Sequence, residues 1–82
     1  MYHAVVAHDW AAWGKRCQRL RERHGWTQAD LAGRVGVSRN TINRVENALA
    51  LPSVGLLDRL SGAYGMSLPA LLTTPTRKSG LR

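Results

Sequence analysis

Residues 26–47 read WTQADLAGRVGVSRNTINRVEN, and their reading decides the fold. The stretch holds two short apolar-periodic segments joined at Gly36. At roughly 100° per residue, Leu31, Ala32 and Val35 share one face of the first segment, and Ile42 and Val45 share one face of the second. Helices this short are unstable alone, so each must bury its face against the other and against a third element. Thr27 with Asp30 forms a variant capping box that starts the first helix, and Ser38 caps the second, which runs to about Asn47. Gly36 suits a joint that needs positive φ. Ala32 is small where close approach would exclude a larger side chain, and Val37 and Ile42 close the wedge.

Working outward, the N-terminal side predicts one more helix. Asp9 is a cap for a helix from Trp10 to about His24, ended by Gly25. Its apolar positions Trp13, Cys17 and Leu20 share a face, with Lys15, Arg16, Arg19 and Arg23 opposite. On the other side, LALPS is a loop, and Ser53 caps a fourth helix, Val54 to Tyr64, closed by Gly65. Gly55 and Gly62 each cost that helix about 1 kcal/mol against alanine. Ser67 caps a short fifth helix, LPALL, whose Pro69 is tolerated in the first turn. No segment has a useful strand period. The expected organisation is a flexible N-terminus over 1–8, an all-α five-helix domain over 9–72, and a basic disordered tail over 73–82.

Eighty-two residues allow one small domain. A single cysteine, Cys17, excludes an internal disulfide framework and fits a reducing compartment. No apolar run approaches the roughly 20 residues of a membrane span, and HAVVA is too short for a signal peptide, so a cytoplasmic location is expected. Twelve Lys and Arg stand against five Asp and Glu, for a formal charge of +7. That balance favours a polyanionic partner, nucleic acid or an acidic membrane surface.

The third helix points to the former. Arg39, Asn40, Asn43 and Arg44 cover roughly 140° of arc away from Ile42 and Val45. A merely solvated face usually mixes Glu with Lys; this one has two arginines, two asparagines and no acid. Asparagine is a poor helix former, so two of them ask for a reason. Arginine can donate two bonds to guanine O6 and N7, and asparagine can pair with adenine N6 and N7.

TQADLAGRVGVSRNTINRVEN resembles the helix-turn-helix of the Xre/Cro-like phage-repressor family. LRERHGW is similar to the family's first-helix ending, and PSVGLLDRLSGAYGMSLPALL to its last two helices, so the likeness covers about residues 13–72. Gln28, Leu31, Ala32, Gly36, Val37, Ser38, Ile42, Val45, Glu46 and Pro52 all fall at the family's spacing. The resemblance implies a lambda-repressor-like five-helix bundle whose third helix enters the major groove of double-stranded DNA, as a homodimer on a near-palindromic operator. It matches Arg39, Asn40 and Arg44 to base readers, with Asn43 a weaker one. It matches Thr27, Gln28, Ser38 and Asn47 to phosphate contacts, the first two at a helix N-terminus that favours an anion. It also matches Arg21 and Glu46 to a structural pair. The chain departs from the family at Ala48, where glycine is usual: either Asn47 takes the left-handed role or the loop follows another path. Ser61 and Gly62 replace better helix formers, so the fourth helix is expected to be soft. Leu68, Leu71 and Leu72 either form a dimer interface or close the core.

Other signals are weak. His3, His8 and His24 lack metal spacing, no cofactor motif or catalytic acid pair is present, and no enzyme is expected. Cys17 reads as core. Trp10, Trp13 and Trp26 read as core or interface anchors rather than base-stacking platforms. The expected function is sequence-specific transcriptional regulation, most simply repression by occupying the operator. The alternative is an antitoxin-like module that neutralises a protein partner through Trp10, Trp13 and the N-terminus and autoregulates its operon. An activator would need an acidic patch, for which five scattered acids offer little support.

Overall fold

The computed structural model describes residues 10–73. The assigned cap Asp9, the N-terminal stretch 1–8 and tail residues 74–82 lie outside them. Five helices follow in order: α1 Trp10–Arg23, α2 Gln28–Val35, α3 Arg39–Glu46, α4 Val54–Tyr64 and α5 Leu68–Leu72. There is no strand among the described residues. The architecture is the all-α helix-turn-helix bundle expected from the sequence.

Local chemistry sets the boundaries. Thr27, Ser38, Ser53 and Ser67 each hold extended backbone and accept a hydrogen bond from the N–H three residues on, which starts α2 to α5. At α2 the box is complete, since Asp30 accepts from the Thr27 N–H at 2.9 Å. The first four helices end alike. The N–H of the residue five beyond reaches back to a carbonyl: Trp26 to Arg21, Val37 to Ala32, Leu49 to Arg44 and Met66 to Ser61. Gly25, Gly36 and Gly65 take the left-handed conformation at three of these ends. At the fourth, Ala48 takes it, with φ of 59°. Asn47 does not, at φ −97°. The loop after α3 therefore keeps the glycine path without glycine.

Trp13, Cys17, Leu31, Val35, Ile42, Leu60 and Leu71 form the fully buried centre. Leu71 thus closes the core and is unavailable to a partner. Leu68 is half-buried, and only Leu72 of that trio is exposed. Trp13 lies under Trp10, stacked at 4.7 Å, and its indole N–H donates to the Leu71 carbonyl at 2.8 Å. Arg16 donates to the same carbonyl at 2.9 Å, so α1 holds the end of α5. Arg59 does likewise for α2, donating to the Val35 carbonyl at 2.9 Å. Helix α4 runs unbroken through Ser61, whose hydroxyl donates to the Asp58 carbonyl.

Gly14 sets the distance between α1 and α3. A Cβ built there would lie 2.5 Å from the Glu46 carbonyl oxygen and 3.0 Å from that of Val45. Both are backbone atoms and cannot swing aside. Gly14→Ala should therefore destabilise the domain by about 1–3 kcal/mol, as overpacking does. Ala48→Gly should stabilise it by about 1 kcal/mol, by relieving a left-handed alanine. Urea denaturation checks both: the midpoints should move in opposite directions at unchanged m.

Candidate nucleic-acid interface

The site is built on a buried ion pair. Arg21 of α1 meets Glu46, the last residue of α3, through two parallel bonds: Nε to Oε2 at 2.7 Å and Nη2 to Oε1 at 3.1 Å. Both residues are buried, and the third guanidinium nitrogen donates to the Trp26 carbonyl at 2.8 Å. The Glu46 hydrogen bonds raise the Arg21 pKa further, against the opposing effect of burial. Planar fork geometry is why arginine suits this place and lysine would not. Glu46 Oε1 accepts once more, from Gln28 Nε2 at 3.1 Å. One carboxylate therefore ties together α1, the start of α2 and the end of α3.

This arrangement aims α3. With Ile42, Val45 and Glu46 inward, Arg39, Asn40 and Arg44 are exposed, and their side chains make no hydrogen bond to the other described residues. Arg39 and Arg44 are free guanidinium forks, and Asn40 is a free donor–acceptor pair. Asn43 differs. It is half-buried and its amide donates to Gln28 Oε1 across 3.5 Å, a long bond to the neighbouring helix. The geometry sets three of the four assigned readers in the open and leaves the fourth leaning on α2.

The assigned phosphate contacts are placed differently from one another. Thr27 is exposed. Its hydroxyl oxygen accepts the Asp30 N–H at 3.0 Å, and its side chain is also engaged with the Asp30 carboxyl. The capping box also holds the Asp30 carboxyl below the usual carboxylate range, through its bonds from Thr27. The N–H groups of Gln28 and Ala29 lie in the first turn of α2, where helix geometry leaves them unpaired. The Gln28 side chain is half-buried and committed to Glu46. Ser38 is exposed but shares a bond with the Thr41 hydroxyl at 2.9 Å. Asn47 spends one amide hydrogen on the Asn43 carbonyl at 2.8 Å, closing the end of α3. The unpaired N–H groups of the α2 first turn are thus the freest anion donors, with Thr27, Ser38 and Asn47 more committed.

Two groups are spoken for. Trp26 is covered by the His24 ring, stacked at 4.3 Å, and by the Arg34 guanidinium at 4.2 Å, so it offers no open face to a base. Cys17 is buried in the core, and burial, followed by the Glu46 charge, pushes its thiol up to about 12. It stays protonated and is a poor nucleophile.

Comparison with known proteins agrees with this geometry. The family model described as Helix-turn-helix matches residues 18–71. The chain belongs to the helix-turn-helix family, of the Xre/Cro-like kind. It is 37% identical over 54 residues to the antitoxin PezA of Streptococcus pneumoniae, a match covering 66% of this chain and 34% of that protein. It is 35% identical over 51 residues to a putative HTH-type transcriptional regulatory protein of Pyrococcus horikoshii, covering 62% of this chain and 16% of the relative. It is 28% identical over 64 residues to the HTH-type transcriptional regulator PuuR of Escherichia coli, covering 78% of this chain and 35% of PuuR. The chain thus spans about a third or less of the curated relatives it matches. No solved structure matches.

Within this helix-turn-helix, residue patterns missed two contributors: Gly14, and Gln28 in its bond to Glu46. A glycine beside Trp13 on the buried face of α1 was the available signal for the first. The second had none, because Gln28 and Glu46 belong to different helices. Arg21→Ala should cost about 3–5 kcal/mol, since it strands a buried carboxylate. Replacing both partners with apolar residues, Arg21→Met with Glu46→Leu, should cost clearly less than the single change. Denaturant unfolding of the three proteins decides it; an equal loss in the single and double variants would count against this account of the pair.

Proposed function

We propose that this protein is a sequence-specific double-stranded DNA-binding transcriptional regulator, a repressor that occupies a near-palindromic operator as a homodimer in the cytoplasm. One observation carries the reading. On a helix locked from behind by Arg21–Glu46, Arg39, Asn40 and Arg44 stand exposed with their donors uncommitted. That is the donor set for major-groove readout, guanine by arginine and adenine by asparagine. Asn43 reads at the edge of the set. Thr27 and the N-terminus of α2 hold one phosphate, with Gln28 oriented beside it, and Ser38 and Asn47 flank the backbone further along. The charge of +7 supplies sequence-independent attraction. Regulation acts by steric occupation of a promoter and needs no cofactor and no catalytic step.

A second reading draws on the match to the antitoxin PezA. Here the chain also neutralises a protein partner and represses its own operon, and the DNA interface serves both tasks. The half-buried Trp10, outermost of the stacked pair, is the contact that reading would use.

Selection from random duplex DNA should enrich a two-fold site. Arg39→Ala and Arg44→Ala should each cost about 1–3 kcal/mol on that site and relax preference at single positions. Thr27→Ala should weaken all sequences alike and flatten the salt dependence. Fluorescence anisotropy with selected and scrambled duplexes separates these effects. Unchanged discrimination in both arginine variants would overturn the assignment of readers.

A further inference from the structure

We infer that Gln28 is a positioning residue for Asn43: it holds that amide with its oxygen outward, so that Asn43 accepts from an exocyclic amine, adenine N6 or cytosine N4. This rests on the DNA-binding reading above and adds which bases one reader can take.

An asparagine side chain at a surface can present either end, because its oxygen and nitrogen exchange places on a half-turn about the Cβ–Cγ bond. Asn40 has that freedom, being exposed and bonded through its side chain to no other described residue. Asn43 does not. The order of its donors and acceptors is dictated from the buried end of the network. Glu46, paired with Arg21 Nε at 2.7 Å and Nη2 at 3.1 Å, can only accept. The Gln28 amide reaches Glu46 Oε1 at 3.1 Å and does so with Nε2. That turns Gln28 Oε1 the other way, toward α3. The Asn43 amide faces this oxygen across 3.5 Å and offers Nδ2 to it. Its own Oδ1 is left on the far side.

Reversing either amide sets oxygen against oxygen: Gln28 Oε1 against the Glu46 carboxylate, or Asn43 Oδ1 against Gln28 Oε1. Both side chains are half-buried, where stranding an acceptor costs more than a bond contributes. One carboxylate thus orients two amides in series. The consequence is a rule for bases. In the major groove adenine and cytosine present an amine, while guanine and thymine present carbonyl oxygens. An outward Oδ1 accepts from the first two and meets the others oxygen to oxygen. Asn43 lies one turn on from Arg39 and Asn40, so its oxygen joins the same reading surface. Gln28 spends its side chain on this task and leaves its backbone N–H, in the first turn of α2, for a phosphate.

The test uses the full chain and the duplex recovered by selection from random sequence, with each of the four bases placed in turn at every position. Binding is read by fluorescence anisotropy. In the wild type, one position in the site should favour adenine or cytosine by about tenfold. That preference should vanish in Asn43→Ala. Replacing that adenine by purine, or that cytosine by 2-pyrimidinone, removes only the amine. It should cost the wild type a similar factor relative to Asn43→Ala, a comparison that absorbs any change in the duplex itself. Gln28→Met removes both polar ends of the side chain and frees Asn43 to turn round. It should raise binding of guanine and thymine at this position relative to adenine and cytosine, with discrimination elsewhere unchanged. Gln28→Lys keeps a donor to Glu46 and offers Asn43 no acceptor, so it should move the preference in the same direction. Urea denaturation checks that each variant is folded under the binding conditions.

A base preference unchanged in Asn43→Ala, or an amine deletion that costs both proteins alike, overturns the proposal. So does an adenine–cytosine preference kept by both Gln28 variants. Equal weakening of every duplex in those variants would make the Gln28 side chain a phosphate contact instead. In each of these cases the selected site persists and the DNA-binding reading stands. Selection that enriches no duplex overturns that reading, and takes the proposal with it.

Discussion

The structure depends on one carboxylate. Glu46 receives the Arg21 guanidinium on both oxygens and the Gln28 amide on one. Helix α3 is too short to hold its own shape, with eight residues. Ile42 and Val45 give it burial, but apolar contacts alone leave a short helix free to roll. The bidentate pair removes that freedom. It fixes Glu46 inward and so fixes which side of α3 meets solvent. Gly14 sets the spacing at which this happens, because α1 can come within reach of the Glu46 backbone only where no Cβ intervenes. Replacing such pairs with apolar residues often leaves stability unchanged. The value of Arg21–Glu46 is therefore orientational: it selects one rotation of the helix that carries Arg39, Asn40 and Arg44.

Helix boundaries were legible in the sequence because their causes are local. Four caps at Thr27, Ser38, Ser53 and Ser67, and three left-handed glycines, each act within a few residues. Ala48 was readable only as a conflict. Its neighbours demand the left-handed turn, its side chain resists it, and the backbone bonds from Ala48 and Leu49 to the end of α3 decide the outcome. Leu71 stayed open between core and surface until its contact with Trp13 closed the question. The site was legible in residue type and much less so in commitment. Composition marks Asn40 and Asn43 as equals, yet one is free and the other leans on Gln28. That difference depends on the angle between α2 and α3, which no single helix encodes.

Charge is divided between two surfaces. Exposed cations surround α3, with Arg34 held over Trp26 beside the start of α2. The chain from Asn47 to Leu57 has none. Residues 60–73 have none either, so the cations among the described residues are carried by α1, α2, α3 and Arg59 of α4. Burial keeps Cys17 protonated and pushes the Tyr64 phenol upward as well.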